Sequence, residues 1–378
     1  MFKKSNYKLL HTKLNTSKIN SIISDWDSTI TNRDTTPLVF QAIPESSFYQ
    51  YPYFYKIYGD AYKQYMNEML PSREEFKDRK NVLQECLFQR DFYDVECSSW
   101  NECVKRQVFK GVDKDVFQRL GQKVALSDNE FHAKEGFVEF WNWFAGLRDR
   151  ETSIKPCNDG LLSHGSHNLE FRILSVGWSK TLIESYFKSQ FASTSTSKST
   201  KSTKISKSTS SPQAERVLPT QMILNEFEFD QNDKCTGQID PRQPFEIRTG
   251  FDKLKCVMEL NSKRSNNTKQ ISNNEVLQWA RNTDLIKDHN LQIDQRHVSA
   301  KTVYIGDSTT DVLSMIYCDF AIIIKGGTAA DKLQKLGYQV YDIGDSDLTL
   351  LKSDELDELR FVAVDDWFDL LSVFHHDT

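Results

Sequence analysis

Ile22-Ile23-Ser24-Asp25-Trp26-Asp27-Ser28-Thr29-Ile30-Thr31 holds the most informative pattern of the chain. A short β-rich apolar run breaks off at Asp25, a second carboxylate follows two residues later, and hydroxyl side chains come after it. That pattern reads as a buried strand running into a polar loop. An aspartate at the end of a buried parallel strand is carried to the carboxyl edge of the sheet, where open α/β sheets bind their ligands. Two carboxylates held there suit a metal, whereas an exposed Asp-x-Asp turn does not; the rest of the chain separates the two readings.

The matching signal is Thr302-Val303-Tyr304-Ile305-Gly306-Asp307-Ser308-Thr309-Thr310-Asp311, followed by the helical Val312 to Ile316. A β-branched and aromatic run ends in Gly-Asp, and the next aspartate, four residues on, falls at the same strand-to-helix junction. Ala321 to Ile324 then reads as a buried strand, Thr328 to Leu336 as a helix, Tyr338 to Ile343 as a strand and Val364 to Phe374 as a closing helix. Alternating strands and helices on short loops imply a parallel sheet covered on both faces.

Asp25-Trp26-Asp27-Ser28-Thr29 and Gly306-Asp307 to Asp311 resemble the DxDxT and GDxxxD motifs of the haloacid dehalogenase (HAD) superfamily, in the form typical of phosphoserine-phosphatase-like members. The chain is also similar to fungal HAD-like proteins, a likeness that names no substrate. The resemblance implies an α/β fold, a Rossmann-like parallel sheet with helices on both faces, plus a helical cap inserted between the first and second motifs. It makes Asp25 the nucleophile that becomes an aspartyl phosphate and Asp27 the acid and base. A dehalogenase needs only the nucleophile, so Asp27 points to phosphoryl chemistry.

Two intervening motifs are expected on the same ground. Phe171-Arg172-Ile173-Leu174-Ser175 reads as a strand ending in a hydroxyl, so Ser175 is the phosphate-binding match. Gly177 would let backbone N–H groups approach the phosphate, aided by the positive end of the helix that follows. Thr249 to Lys255 opens an amphipathic helix where the family places a lysine; Lys253 is assigned, with Lys255 in reserve, because residues two apart on a helix face different ways. Asp307 would hold the metal, and Asp311 would bind it through water or orient Lys253. The oxygen-only ligands, the Asp25 and Asp307 carboxylates with the Asp27 backbone carbonyl, suit Mg²⁺.

By position the chain divides into core at 19–33, a helical cap at 34–133, core at 134–188, a disordered Ser/Thr/Lys insertion at 189–215, and core again at 216–378 with a polar insertion near 262–300. Aromatic and helical patterns fill the cap segment, notably Phe48 to Tyr55, Glu74 to Phe92 and Ser99 to Val108. Asp34 is the nominated substrate residue there, with an acidic helix cap before Pro37 as the other reading. Arg33, Arg73, Arg79 and Arg106 are each able to pair with an anionic substrate group. Lys134 to Leu147 reads as a helix returning to the core, and Asn274 to Asn282 as another. His164 and His167, three apart in a polar loop, lack a third ligand of suitable spacing.

At 378 residues there is chain for a core and one large insertion, and a net charge of −5 offers no basic field for nucleic acid. No apolar run reaches signal-peptide or membrane-spanning length, and the seven scattered cysteines fit neither a disulfide framework nor a metal site. A cytoplasmic, or cytoplasmic and nuclear, protein is expected. The resemblance therefore implies a Mg²⁺-dependent phosphomonoesterase whose partner is a small phosphorylated metabolite. The alternatives are a non-catalytic HAD-like binding protein, or a 5′-nucleotidase or phosphotransferase on the same core.

Overall fold

The computed structural model describes residues 3–14, 19–76, 78–126, 129–153, 169–191, 217–264, 270–288, 301–344, 348–352, 355–356 and 359–375. His164, His167 and the Ser/Thr/Lys segment beyond Phe191 lie outside the described residues, as does most of the polar stretch near 262–300 that is not helical. Helix α1 (Lys3–Leu14) precedes strand β1 (Ile19–Ser24). Five helices then follow: α2 (Thr36–Phe40), α3 (Tyr51–Gln64), α4 (Val82–Asp91), α5 (Tyr93–Lys105) and α6 (Lys114–Val124). Helix α7 (Phe137–Ser153) leads to β2 (Glu170–Trp178), α8 (Lys180–Phe191), β3 (Gln221–Asn225) and the hairpin of β4 (Phe227–Phe229) and β5 (Cys235–Ile239). The last third holds α9 (Gly250–Arg264), α10 (Asn273–Asp288), β6 (Lys301–Gly306), α11 (Val312–Tyr317) and β7 (Phe320–Ile324). It ends with α12 (Ala329–Lys335), β8 (Tyr341–Asp342), β9 (Phe361–Val364) and α13 (Trp367–Phe374).

The expected fold is present. Seven parallel strands form one sheet in the order β3-β2-β1-β6-β7-β9-β8. Strands β1, β6 and β7 are apolar on both faces because helices cover both. One layer packs Phe137, Phe140, Trp141 and Phe144 of α7 with Tyr186 and Phe187 of α8 and Trp367 of α13. The other packs Leu254 and Val257 of α9, Val276 and Ala280 of α10, and Val312 and Met315. The chain leaves β1 in one direction for β2 and β3 and in the other for β6 and β7, so the topological switch point lies between β1 and β6.

Several boundaries differ from the sequence reading. Phe361–Val364, whose last residue was expected to open the closing helix, is a strand; the helix begins at Trp367, where the Asp366 carboxylate accepts from the N–H groups of Phe368 and Asp369. A four-residue apolar run has no period to tell strand from helix. The Phe171 strand continues through Gly177 to Trp178, and α10 extends to Asp288, while the Tyr338 to Ile343 strand shrinks to two residues. The Lys-rich start forms α1, pinned by Lys3 to Asp365 at 2.6 Å and to Asp369 at 3.1 Å.

The helices between β1 and β2 are anchored to the sheet layers at several places, α6 against α8 among them, where Ser185 Oγ donates to the Gln118 carbonyl at 2.7 Å. Val82 and Cys86 of α4 are buried in the α9–α10 layer, and Asp284 of α10 accepts from the N–H groups of Val82 and Leu83 at 2.8 and 2.9 Å. Glu85 of α4, fully buried, is paired with Lys332 and with Arg79. Elsewhere, Trp100 of α5 stacks on Trp178 at the end of β2, ring centroids 3.7 Å apart. Among the described residues no helix is long and apolar enough to cross a membrane.

Candidate active site

Asp25 and Asp307 leave the sheet side by side. Each is the first residue past its strand, Ser24 pairs with Ile305, and the Asp25 N–H donates to the Ile305 carbonyl at 2.9 Å. Together with Asp311 they bring one carboxylate oxygen each within 4.8 Å of one another. Helix α9 sends in Lys253, whose fully buried ammonium lies 3.0 Å from Asp25 Oδ2 and 2.7 Å from Asp311 Oδ1. Lys255 instead borders a separate groove beside Asp252 and Glu259.

Asp311 has no oxygen to spare. Its Oδ1 accepts from Lys253 and from the Tyr304 hydroxyl at 2.8 Å; its Oδ2 accepts from the N–H groups of Asp307 and Ser308 and from Ser308 Oγ at 3.0 to 3.2 Å. Such a carboxylate fixes its donors in place. Burial, reinforced by Asp311 and Asp25, keeps the Tyr304 phenol far above its usual range and hence a neutral donor. Asp307 receives the Thr29 hydroxyl at 2.8 Å on Oδ1.

Asp27 turns toward β2. Ser28 sits at φ 57°, a left-handed bend uncommon outside glycine. Asp27 Oδ1 accepts both the N–H and the hydroxyl of Thr35, at 2.7 and 2.5 Å. Its other oxygen lies against Gly177, where an added Cβ would come within 2.5 Å of Asp27 Oδ2 and 3.1 Å of Ser175 Oγ. The glycine is needed for that close approach. Its N–H donates to Ser175 Oγ at 3.0 Å, which leaves the Ser175 proton to be donated elsewhere. At the start of α8, Glu226 accepts from the N–H and hydroxyl of Thr181.

Asp34 is exposed, and its Oδ1 accepts the Thr36 N–H at 2.8 Å, the contact expected of a helix-entry residue. The four arginines singled out from sequence all have protein partners: Arg33 with Glu130, Arg73 with Asp91, Arg79 with Glu85 and Arg106 with Glu102. Sequence reasoning missed Thr35 and Tyr304; a hydroxyl within reach of Asp27 around the following turn was the available signal for the first.

The charge balance is uneven, with three buried carboxylates against the one buried ammonium of Lys253 and the half-buried Lys134 near Asp307. Burial, with Asp311 and Asp307 adding to it and Lys253 opposing, pushes the Asp25 carboxyl up to about 7. Burial and then Asp311 raise Asp307 to about 6. The Asp27 carboxyl is held well above its ordinary range by burial and by the charge of Asp34, against the Thr35 donors. Burial works against the Lys253 ammonium, but Asp25 and Asp311 outweigh it and raise its pKa. The broad groove of about 690 Å³ between α6, α8 and the β4–β5 hairpin includes none of these residues.

No family model matches the chain, and no curated protein matches it. Solved structures similar to it include a HAD family hydrolase from Salmonella enterica subsp. enterica serovar Typhi, 11% identical over 95% of this chain and 72% of that one, with a TM-score of 0.39. A substrate-bound phosphoserine phosphatase is 11% identical over 83% and 90%, with a TM-score of 0.36. A phospho-aspartyl intermediate analogue of phosphoserine phosphatase is 11% identical over 84% and 91%, with a TM-score of 0.34.

Proposed function

We propose that this chain is a HAD-type phosphomonoesterase that hydrolyses a small phosphorylated metabolite through an aspartyl phosphate on Asp25. The observation that carries the reading is Lys253, a buried ammonium bridging Asp25 and Asp311 at the sheet's switch point, with Asp27 and Ser175 adjoining on the β2 side. A carboxylate repels a phosphate dianion, so attack at phosphorus needs fixed positive charge between them. Lys253 supplies it without reorganising, because Asp311 holds it.

In the first step an Asp25 oxygen bonds to phosphorus as the ester P–O bond breaks, and Asp27 gives its proton to the departing oxygen. In the second, Asp27 takes a proton from water as that water attacks phosphorus, releasing inorganic phosphate and restoring Asp25. The raised pKa of Asp27 suits it to start protonated. Ser175 donates its hydroxyl to a phosphoryl oxygen.

The donor set fits a divalent cation. Three clustered carboxylates facing the buried Lys253 and the half-buried Lys134 still leave negative charge uncompensated, and hard oxygen ligands favour Mg²⁺. Asp25, Asp307 and the Asp27 backbone carbonyl would hold it, while Asp311, saturated by donors, positions Lys253. When bound, the ion supplies charge that neutralises the nucleophile and the phosphoryl oxygens. Residues 34–133 serve as the cap, with α4 fastened to the core and the aromatic α5 lying over the end of β2.

The test is a phosphate-release screen across amino-acid, sugar, nucleotide and vitamin phosphates with Mg²⁺, using Asp25→Asn as the blank. Turnover lost in the blank is expected; turnover that persists there overturns the proposal. The nucleotide arm separates a 5′-nucleotidase.

A further inference from the structure

Arg248 lies on the lead into α9, five residues before Lys253. Its side chain is 3% exposed, its Nε donates to Glu246 Oε1 at 3.1 Å, and its guanidinium covers the Trp178 ring at 4.6 Å. Yet its Nη1 is buried with no hydrogen-bond partner. Guanidinium never gives up its charge in a protein, and a buried donor left unmade costs free energy comparable to a lost hydrogen bond. Stacking on Trp178 accounts for where the group sits but not for the empty donor.

The segment that bears this donor is tied to the strand that carries the proposed phosphate-binding residues. Trp178 stands on the same strand as Ser175 and Gly177. Asn225 Nδ2 ties the Val176 carbonyl to the Ile247 carbonyl, at 2.9 and 2.7 Å, so the segment bearing Arg248 is sewn to the segment bearing Gly177. On the far side, the Thr249 carbonyl accepts the Lys253 N–H. Trp100 of α5 stacks on Trp178 as well, so the guanidinium sits at the seam between sheet and helices. Glu246, its one charged partner among the described residues, is 55% exposed and neutralises it weakly.

We propose that Arg248 is a specificity residue that binds a second anionic group of the substrate, a carboxylate or a further phosphate, next to the phosphoryl group held by Lys253 and Ser175. The inference rests on the phosphomonoesterase reading for its account of the neighbouring site. Arginine's planar fork matches carboxylate and phosphate oxygens in pairs, and a rigid stack on an indole fixes its plane before the ligand arrives.

Binding, measured without turnover, tests this separately from catalysis. The Asp25→Asn protein is titrated calorimetrically, with Mg²⁺, against glycerol 3-phosphate, 3-phosphoglycerate and glycerol 1,3-bisphosphate, which share a backbone and differ in the second group. At least one of the two doubly anionic esters should bind about 10- to 100-fold tighter than glycerol 3-phosphate, and which one identifies the group. In Asp25→Asn/Arg248→Met that ratio should fall to about one, and in Asp25→Asn/Arg248→Lys it should be partly restored. Equal binding of all three esters, or a ratio that survives Arg248→Met, overturns the proposal. So does failure of both Arg248 variants to fold, which assigns the arginine to the scaffold. Absence of wild-type turnover with every phosphate ester breaks the phosphatase reading instead and leaves the binding ratio to be judged on its own.

Discussion

The tips of β1 and β6 and the helices α3 to α5 are built on opposite plans. At the tips, carboxylates and one lysine are packed out of water and held by hydrogen bonds that run between distant segments, as Lys253 and Thr29 do to the two aspartates of the β6 loop. Around the helices, Phe88 stacks on Phe92 and Tyr65 meets both edge-on, while Trp100 joins Phe40 of α2, Phe109 and Phe227 of β4 in a second aromatic mass. The first region stores electrostatic tension, whereas the second stores apolar contact. Substitutions should therefore separate them, chemistry failing at one and stability at the other.

The largest effect is expected from Asp25→Asn: phosphate release should fall by at least about 10³-fold while the fold persists, since a neutral side chain replaces a buried charge. Melting and activity measured on the same preparation check this, and activity that survives the Asp25→Asn substitution blurs the contrast. Gly177→Ala should cost about 10²-fold in kcat by pushing the Asp27 carboxyl aside, with the melting transition lowered far less than the rate.

Lys253→Met joins the two plans. It removes the cation from two buried carboxylates and should cost about 3–5 kcal/mol in chemical denaturation as well as activity. Trp100→Ala, in the aromatic mass, should cost a similar ~3–5 kcal/mol; if its kcat on a small aryl phosphate collapses as far as in Asp25→Asn, the two plans are not separable.

The smallest effect concerns Glu96 of α5, whose carboxyl burial raises to about 7 against the Tyr58 hydrogen bond. The folded protein holds this proton more tightly than the unfolded chain, so the stability it contributes is fully present below the ordinary glutamate pKa and is lost as pH rises through about 7. Glu96→Gln should remove that decline, on the order of 2 kcal/mol, seen as a smaller difference between melting temperatures in mildly acidic and mildly alkaline buffer.

The same contrast decides what was legible in the chain. Asp25 and Asp307 could be read because each ends an apolar run, a pattern local enough to see within a single strand and its loop. Lys253 rested on the family resemblance, which implies a lysine at the start of this amphipathic helix, and choosing it over Lys255 required knowing which face is buried. Thr35 and Tyr304 were not legible as site neighbours, nor was the stacking of Arg248 on Trp178, because their significance lies in a partner that folding alone supplies. Strand β9 and helix α1 escaped for a different reason. Phe361–Val364 is too short to show a period, and α1 owes its place to tertiary contacts such as that of Asn6 with the Ile343 carbonyl.

The strand order has a bearing on biosynthesis. Strand β1 leaves the ribosome long before one of its two flanking strands, β6, residues 301–306. Until those residues emerge, a largely apolar strand waits with an open edge, the condition that slows folding and invites aggregation or chaperone capture. A chain cut short before residue 301 should therefore be insoluble rather than merely inactive, and the two carboxylates at the strand tips first become neighbours only after that late arrival.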